Sequence, residues 1–191
     1  MPAGAEAAAN RLVRQGATAL VSFGLAGGLD PALAPGDVVV PAFVLSAGLR
    51  LEADSALAQR FGGFTGHTIL AGEAVADSVA AKAALYGATG AHAVDLESGA
   101  VARVAAAHGL PFAVVRAVCD PARRNLPAAA AVALSPSGTV NLLPVLWSVV
   151  RGPWQIPGLI MLGRDAARAR RSLLRLVATF QEVQGFRHGD R

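Results

Sequence analysis

Residues 93–121, AVDLESGAVARVAAAHGLPFAVVRAVCDP, decide the fold. They read as a strand end carrying Asp95 and Glu97, then a helix, then a buried strand that delivers Asp120. Residues 100–108 are nearly all good helix formers, Gly109 stands where a helix stop belongs, and Pro111 follows. Residues 112–118 form an apolar, β-branched run broken by Arg116, the pattern of a strand covered on both faces. Parallel strands of an α/β sheet place their carboxyl ends on one edge, where ligands bind. That edge is expected to receive the carboxylates.

Working outward, residues 1–16 predict a helix ending at Gly16, and residues 17–23 a buried strand running into Gly24-Leu25-Ala26-Gly27-Gly28. Glycines after a strand allow close backbone approach to a ligand and free N–H groups for anions or hydroxyls. The spacing is not GxGxxG, and no helix with a downstream ribose-binding acid follows directly, which speaks against a dinucleotide fold. Pro35-Gly36-Asp37 is turn chemistry before a strand over 38–41, and residues 42–66 read as loop. Residues 68–71 predict a short strand, and Ser78 an N-cap for a helix bearing Lys82 and Tyr86. Residues 121–139 read as a flap or irregular helix. The apolar segments 141–150 and 156–162 are too short to span a bilayer, which takes about 20 apolar residues. Residues 164–182 predict a basic amphipathic helix with Leu173, Leu174, Leu176, Val177 and Phe180 on its apolar side.

The 191 residues suit one domain, residues 1–191, with an apolar and Arg-rich helical part over 140–183. The formal charge of +4 owes much to Arg164, Arg168, Arg170, Arg171 and Arg175. They form either a solvated helix face or a contact for an anionic membrane surface. Without aromatic residues interleaved among them they do not suggest nucleic acid. The single cysteine, Cys119, forms no internal disulfide and suits a reducing compartment. No signal peptide is recognised, so a cytoplasmic location is expected. His67, His92 and His108 have no metal-ligand spacing, and no metal is expected.

The segments 24–29, 35–37, 93–97 and 115–120, in this order and strand context, resemble the purine nucleoside phosphorylase and methylthioadenosine/adenosylhomocysteine nucleosidase superfamily over about residues 17–121. Residues 80–98 and 108–123, with the Arg-rich C-terminal third, are most similar to the hopanoid-associated phosphorylase branch. The resemblance implies a three-layer α/β/α sandwich around a twisted mixed sheet. It also implies cleavage of the bond between ribose and a purine, with release of adenine. No cofactor is implied, though phosphate stays open as a co-substrate. The implied substrate is a soluble or lipid-linked purine nucleoside; a homo-oligomeric assembly is expected, and peripheral contact at the inner membrane stays open.

By the same resemblance, Asp120 is the acid that protonates the purine at N7, and Glu97 binds the ribose hydroxyls. Leu25, Ala26 and Gly27 line the site, Leu96 packs under the ribose, and Val75 and Ala76 contact the base. From the residues alone, Asp120 also fits an Asp-Pro turn, and Glu97 an acid at a helix N-terminus. Arg116 shares a strand face with Asp120 and is expected to pair with Asp95 or Glu97. Cys119 faces the other way, as packing. The Arg and Ser that hold phosphate in relatives fall at Ser22 and Leu25. Leu25 has no hydrogen bond to donate, which opens water as an alternative nucleophile to phosphate, while the backbone N–H groups of Gly27 and Gly28 remain able to bind an anion. Relatives begin with a further strand, which supplies another active-site group. Either the sequence as given starts late or this version is impaired; a sheet without that strand is expected to expose an edge in its middle, and a non-catalytic purine-binding protein is the alternative.

Overall fold

The computed structural model describes residues 2–127, 130 and 156–188, with side chains described over 3–127, 130 and 156–179. Helix α1 (Pro2–Arg14) leads into β1 (Leu20–Gly28), with Gly16 at φ +89° between them. Next come β2 (Val38–Val39), β3 (Phe43–Ser46), β4 (Leu49–Glu52), α2 (Ser55–Gln59) and β5 (Thr68–Ala71). Then follow α3 (Val79–Thr89), β6 (Ala93–Asp95), α4 (Ser98–Ala107) and β7 (Phe112–Asp120), and the described part ends in the long helix Ile156–His188, here α5. The segments 131–139 and 141–150 lie outside the described residues.

The seven strands form one mixed sheet in the order β2-β7-β1-β6-β5-β3-β4. Strand β1 runs parallel to β7, and β6, β5 and β3 are parallel among themselves. The two sets meet antiparallel where β1 joins β6. Helices α1 and α4 cover one face through a core that includes Ala9, Ala102, Ala105, Val114 and Val118. On the other face α5 packs Ala169 and Leu173 against Val115 and Ala117, and α3 brings Leu85 and Tyr86 to Leu29 and Val94. The architecture is thus the expected three-layer α/β/α sandwich. Strand β7 is buried on both sides, which is why its sequence lacks polar alternation. Each of its fully buried valines contributes roughly 1.5–3 kcal/mol of apolar transfer.

Several local expectations change. Residues 24–28 do not follow the strand but form the second half of β1. At Gly24 the missing side chain makes room for the Arg116 guanidinium, which a Cβ would strike, so this glycine serves packing rather than a ligand. Residues 42–66 hold the β3–β4 hairpin and α2. The hairpin turns at Ala47 (φ 50°) and Gly48 (φ 76°), and an alanine in that region hides the turn from sequence. Helix α5 begins at Ile156, eight residues before the predicted start, because Pro157 occupies the first turn, where a missing N–H breaks no helix bond. Leu174 is 54 % exposed and does not join the apolar side of that helix.

Strand β1 pairs with β7 from Leu20 onward but meets β6 only at Gly27 and Gly28. Among the described residues its other edge is open over residues 20–26, as predicted. Val21, Phe23 and Leu25 on that strand are each about two-fifths exposed.

Candidate active site

The site is built at the seam between the two parallel sets. Gly27 stands level with Asp120 of β7 on one side and with Val94 of β6 on the other. Strand β6 runs against β1, so the carboxylates do not reach one common carboxyl edge, as the sequence suggested. They converge because β7 and β6 both end beside the same residue of β1. The register shifts between Ala26 and Gly27, where Cys119 is the extra residue of a bulge in β7. The bulge turns Asp120 toward the seam. It also lets Cys119, which packs in the core beside α5, touch the same space. Burial pushes the Cys119 thiol up to about 11, which keeps it protonated and unsuited to nucleophilic attack.

A cavity of about 380 Å³ opens at this seam, within the range of roughly 300–1,000 Å³ typical of small-molecule sites. It is lined by Leu25, Ala26 and Gly27 of β1, by Val75 and Ala76, by Leu96 and Glu97, and by Asp120. All eight residues singled out from the sequence therefore border one space. The sequence did not foresee Leu126, Ala130 and the α5 residues Leu162 and Ala166 on the opposite wall. Their contribution depends on a helix that folds back from far along the chain, and no local pattern marks it. The wall carries Asp95, Glu97 and Asp120, and no Lys or Arg among its described lining residues.

Beneath the wall lies a buried ionic layer. Arg116 Nη2 stands 2.5 Å from Asp95 Oδ2 and 3.6 Å from Glu97 Oε2, and donates to Ser22 Oγ at 2.7 Å. Arg116 thus pairs with both acids that the sequence offered it. Asp95 also accepts from the Ser98 hydroxyl at 2.5 Å and from the Ser98 N–H, tying down the start of α4. Burial pushes the Asp95 carboxyl above its ordinary range, opposed by Arg116 and Ser98. Glu97 occupies the N-cap position of α4 yet makes no capping bond, and its side chain is 35 % exposed. Asp95 does the capping, which leaves Glu97 free to accept from hydroxyls in the cavity. Ser22 is buried against Arg116 and does not line the cavity.

Asp120 has a partner that the sequence did not suggest. Lys82 of α3, completely buried, places Nζ 2.6 Å from Asp120 Oδ2. Burial pushes the Asp120 carboxyl up, and the bond and charge of Lys82 pull it back down. One signal was present: Lys82 is the sole charge on an otherwise small and apolar α3, a helix whose Ser78 cap forms as predicted. A carboxyl held high by an apolar cavity, with a free acid nearby, suits proton donation to one part of a ligand and hydrogen bonding to another.

Fold and site together define an α/β/α protein with an acid-bearing cavity at a mid-sheet seam. The sequence matches the Phosphorylase superfamily over residues 2–66 and 62–136, and the chain belongs to that family. Among curated protein sequences none matches significantly. Solved structures share the fold. A futalosine hydrolase mutant of Helicobacter pylori superposes with a TM-score of 0.58 at 18 % identity, over 63 % of this chain and 65 % of that one. A putative methylthioadenosine nucleosidase of Weissella paramesenteroides gives 0.60 at 22 %, over 63 % and 66 %. The 5'-methylthioadenosine/S-adenosyl homocysteine nucleosidase of Helicobacter pylori gives 0.63 at 16 %, over 93 % and 76 %. The chain thus spans about two thirds of the length of the first two.

Proposed function

We propose that the cavity binds a purine nucleoside and that the protein cleaves its N-glycosidic bond, releasing adenine. Asp120 is the general acid: as the bond to the sugar breaks and electrons move into the purine, its proton passes to N7. Glu97 accepts hydrogen bonds from the ribose hydroxyls and favours the positive charge growing on the ring. Leu25, Ala26 and Leu96 cover the sugar, and Val75 and Ala76 the base. The observation that carries this reading is the meeting of Asp120 and Glu97 on one cavity across Gly27.

Water is the nucleophile we favour over phosphate. Three acids and no described cation line the cavity, and Ser22 is engaged by Arg116, so an anion meets little welcome there. No cofactor is required. For the substrate we favour adenosylhopane, a lipid-linked adenine nucleoside of hopanoid biosynthesis. Helix α5 supports this choice, because it lines the cavity with Leu162 and Ala166 while exposing Ile156, Ile160 and Met161 beside Arg164 and Arg168. Such a surface suits peripheral contact with anionic headgroups. None of the described helices is long and apolar enough to cross a membrane. Soluble methylthioadenosine is the second reading, favoured by the fold shared with a Helicobacter pylori nucleosidase crystallised with that compound in its active site. The open edge of β1, with Val21 and Phe23 exposed, supports a homo-oligomer.

The test is adenine release by the purified protein from each nucleoside, with and without phosphate. Hydrolysis is expected without phosphate, and Asp120→Asn should lose about 10²–10⁴-fold in kcat while still binding adenine. Adenine binding without turnover of any nucleoside would select a purine-binding protein. Full activity in Asp120→Asn would remove that residue from the chemistry.

A further inference from the structure

Lys82 is the most deeply buried charge among the described residues, and all of its hydrogen-bonding capacity is spent at one place. An ammonium has three N–H donors and no acceptor. Here they meet Asp120 Oδ2 at 2.6 Å, the Arg124 carbonyl at 2.8 Å and the Pro121 carbonyl at 3.0 Å. The two carbonyls belong to the turn that follows β7. That turn is also sewn to the start of α3, where Val79 N–H donates to Asn125 Oδ1 and Leu126 N–H to the Asp77 carbonyl. Asp120 Oδ1 has no hydrogen-bond partner among the described residues. One carboxyl oxygen is thus fixed to the protein, and the residue borders the cavity with the other unclaimed.

We propose that Lys82 is a positioning residue for glycosidic cleavage: its ammonium aims the Asp120 carboxyl at the base and stabilises the carboxylate left when the proton departs. The inference rests on the assignment of Asp120 as the acid. In the step itself the Asp120 O–H bond breaks and an N7–H bond forms. The O–H electron pair stays on the carboxylate, while the pair of the breaking C–N bond enters the purine. Lys82 keeps its three protons throughout. In an apolar cavity a new carboxylate without a counterion is costly, and an acid that holds its proton too tightly donates poorly. Lys82 addresses both problems from outside the cavity, where it does not obstruct the ligand. The other charged groups facing Asp120 are Arg124 in the following turn and Asp165 on α5, and these two pair with each other at 2.6 Å. Asp95 of β6 is occupied by Arg116. Lys82 is therefore the cation committed to Asp120.

The test compares wild type with Lys82→Met, Lys82→Gln and Lys82→Arg. An opposite charge this close lowers an aspartate by about 1–3 pH units, and removing it should raise Asp120 by a similar amount. A general acid works only while protonated, so kcat/KM falls as pH rises through its pKa. In Lys82→Met and Lys82→Gln that alkaline limb should move up by about 1–3 pH units while the plateau falls, and Lys82→Arg should restore the wild-type limb. A lysine with a structural role alone would lower kcat/KM at every pH and leave the limb in place, overturning the proposal. Carboxyl ¹³C NMR, with the Asp120 signal assigned by Asp120→Asn, reads the same shift without turnover. If wild type cleaves no nucleoside, the functional reading fails, and the NMR titration still decides whether Lys82 controls Asp120. An unmoved Asp120 titration overturns the proposal. Lys82→Gln keeps donors for the two carbonyls, so failure of both neutral variants to fold while Lys82→Arg folds also assigns Lys82 to structure alone.

Discussion

Replacing Arg116 by Met tests the ionic layer beneath the cavity. Arg116 is 4 % exposed and meets Asp95, itself buried, at 2.5 Å, with Glu97 and Ser22 as further partners. Methionine fills much of the volume but leaves the Asp95 carboxylate without its cation. Breaking a buried pair in this way costs about 3–5 kcal/mol, a large share of the roughly 5–15 kcal/mol of a typical domain. Urea unfolding at neutral pH should show that loss, and Arg116→Met/Asp95→Asn should recover part of it, with a coupling of roughly 1–3 kcal/mol. The sign with pH follows. Burial already raises Asp95 above its ordinary 3.8, and losing Arg116 raises it further, so the native state binds the proton more readily than the unfolded chain. That linkage favours the native state as pH falls, and the deficit of Arg116→Met should shrink as pH drops through the raised pKa. A loss below about 1 kcal/mol, or no recovery in the double variant, would refute the picture of a buried pair under the cavity.

Two other perturbations follow from packing. A Cβ at Gly99, in the first turn of α4, would lie 2.6 Å from Ala71 Cβ and 2.9 Å from Ser46 Cβ. Gly99→Ala should therefore lower stability by roughly 1–3 kcal/mol in thermal or urea unfolding and weaken binding of the intact nucleoside by displacing Glu97 at the head of the helix. Phe23, 42 % exposed on the open part of β1, should sustain self-association; Phe23→Lys should shift light scattering toward smaller species at equal concentration, and an unchanged distribution would place the interface elsewhere.

The parts of the fold that could be read from sequence are those where local physics and tertiary packing agree. Residues 112–118 announce a strand buried on both faces because neither face is wet. Gly109 at φ +63° and Ser78, which accepts from Ala81 N–H, end and begin helices for reasons contained within a few residues. The glycines of β1 misled for a physical reason: Gly24 is small to admit a guanidinium arriving from another strand, a demand invisible along the chain. The hairpin at Ala47 was hidden because alanine rarely takes a positive φ. The cavity residues from residue 25 to residue 120 came through family resemblance, not periodicity. Lys82 was overlooked because a lysine on a helix is usually solvated, and only the turn after β7 turns it inward.

The central claim is that residues 25–27, Glu97 and Asp120 together frame a purine and its sugar. A crystal structure of the protein with adenine bound tests it most directly. The account predicts the base in the seam cavity, N7 within hydrogen-bonding distance of the Asp120 carboxyl and Glu97 facing the space left for ribose. Adenine bound on another surface, or a cavity that stays empty at saturating adenine, would contradict it.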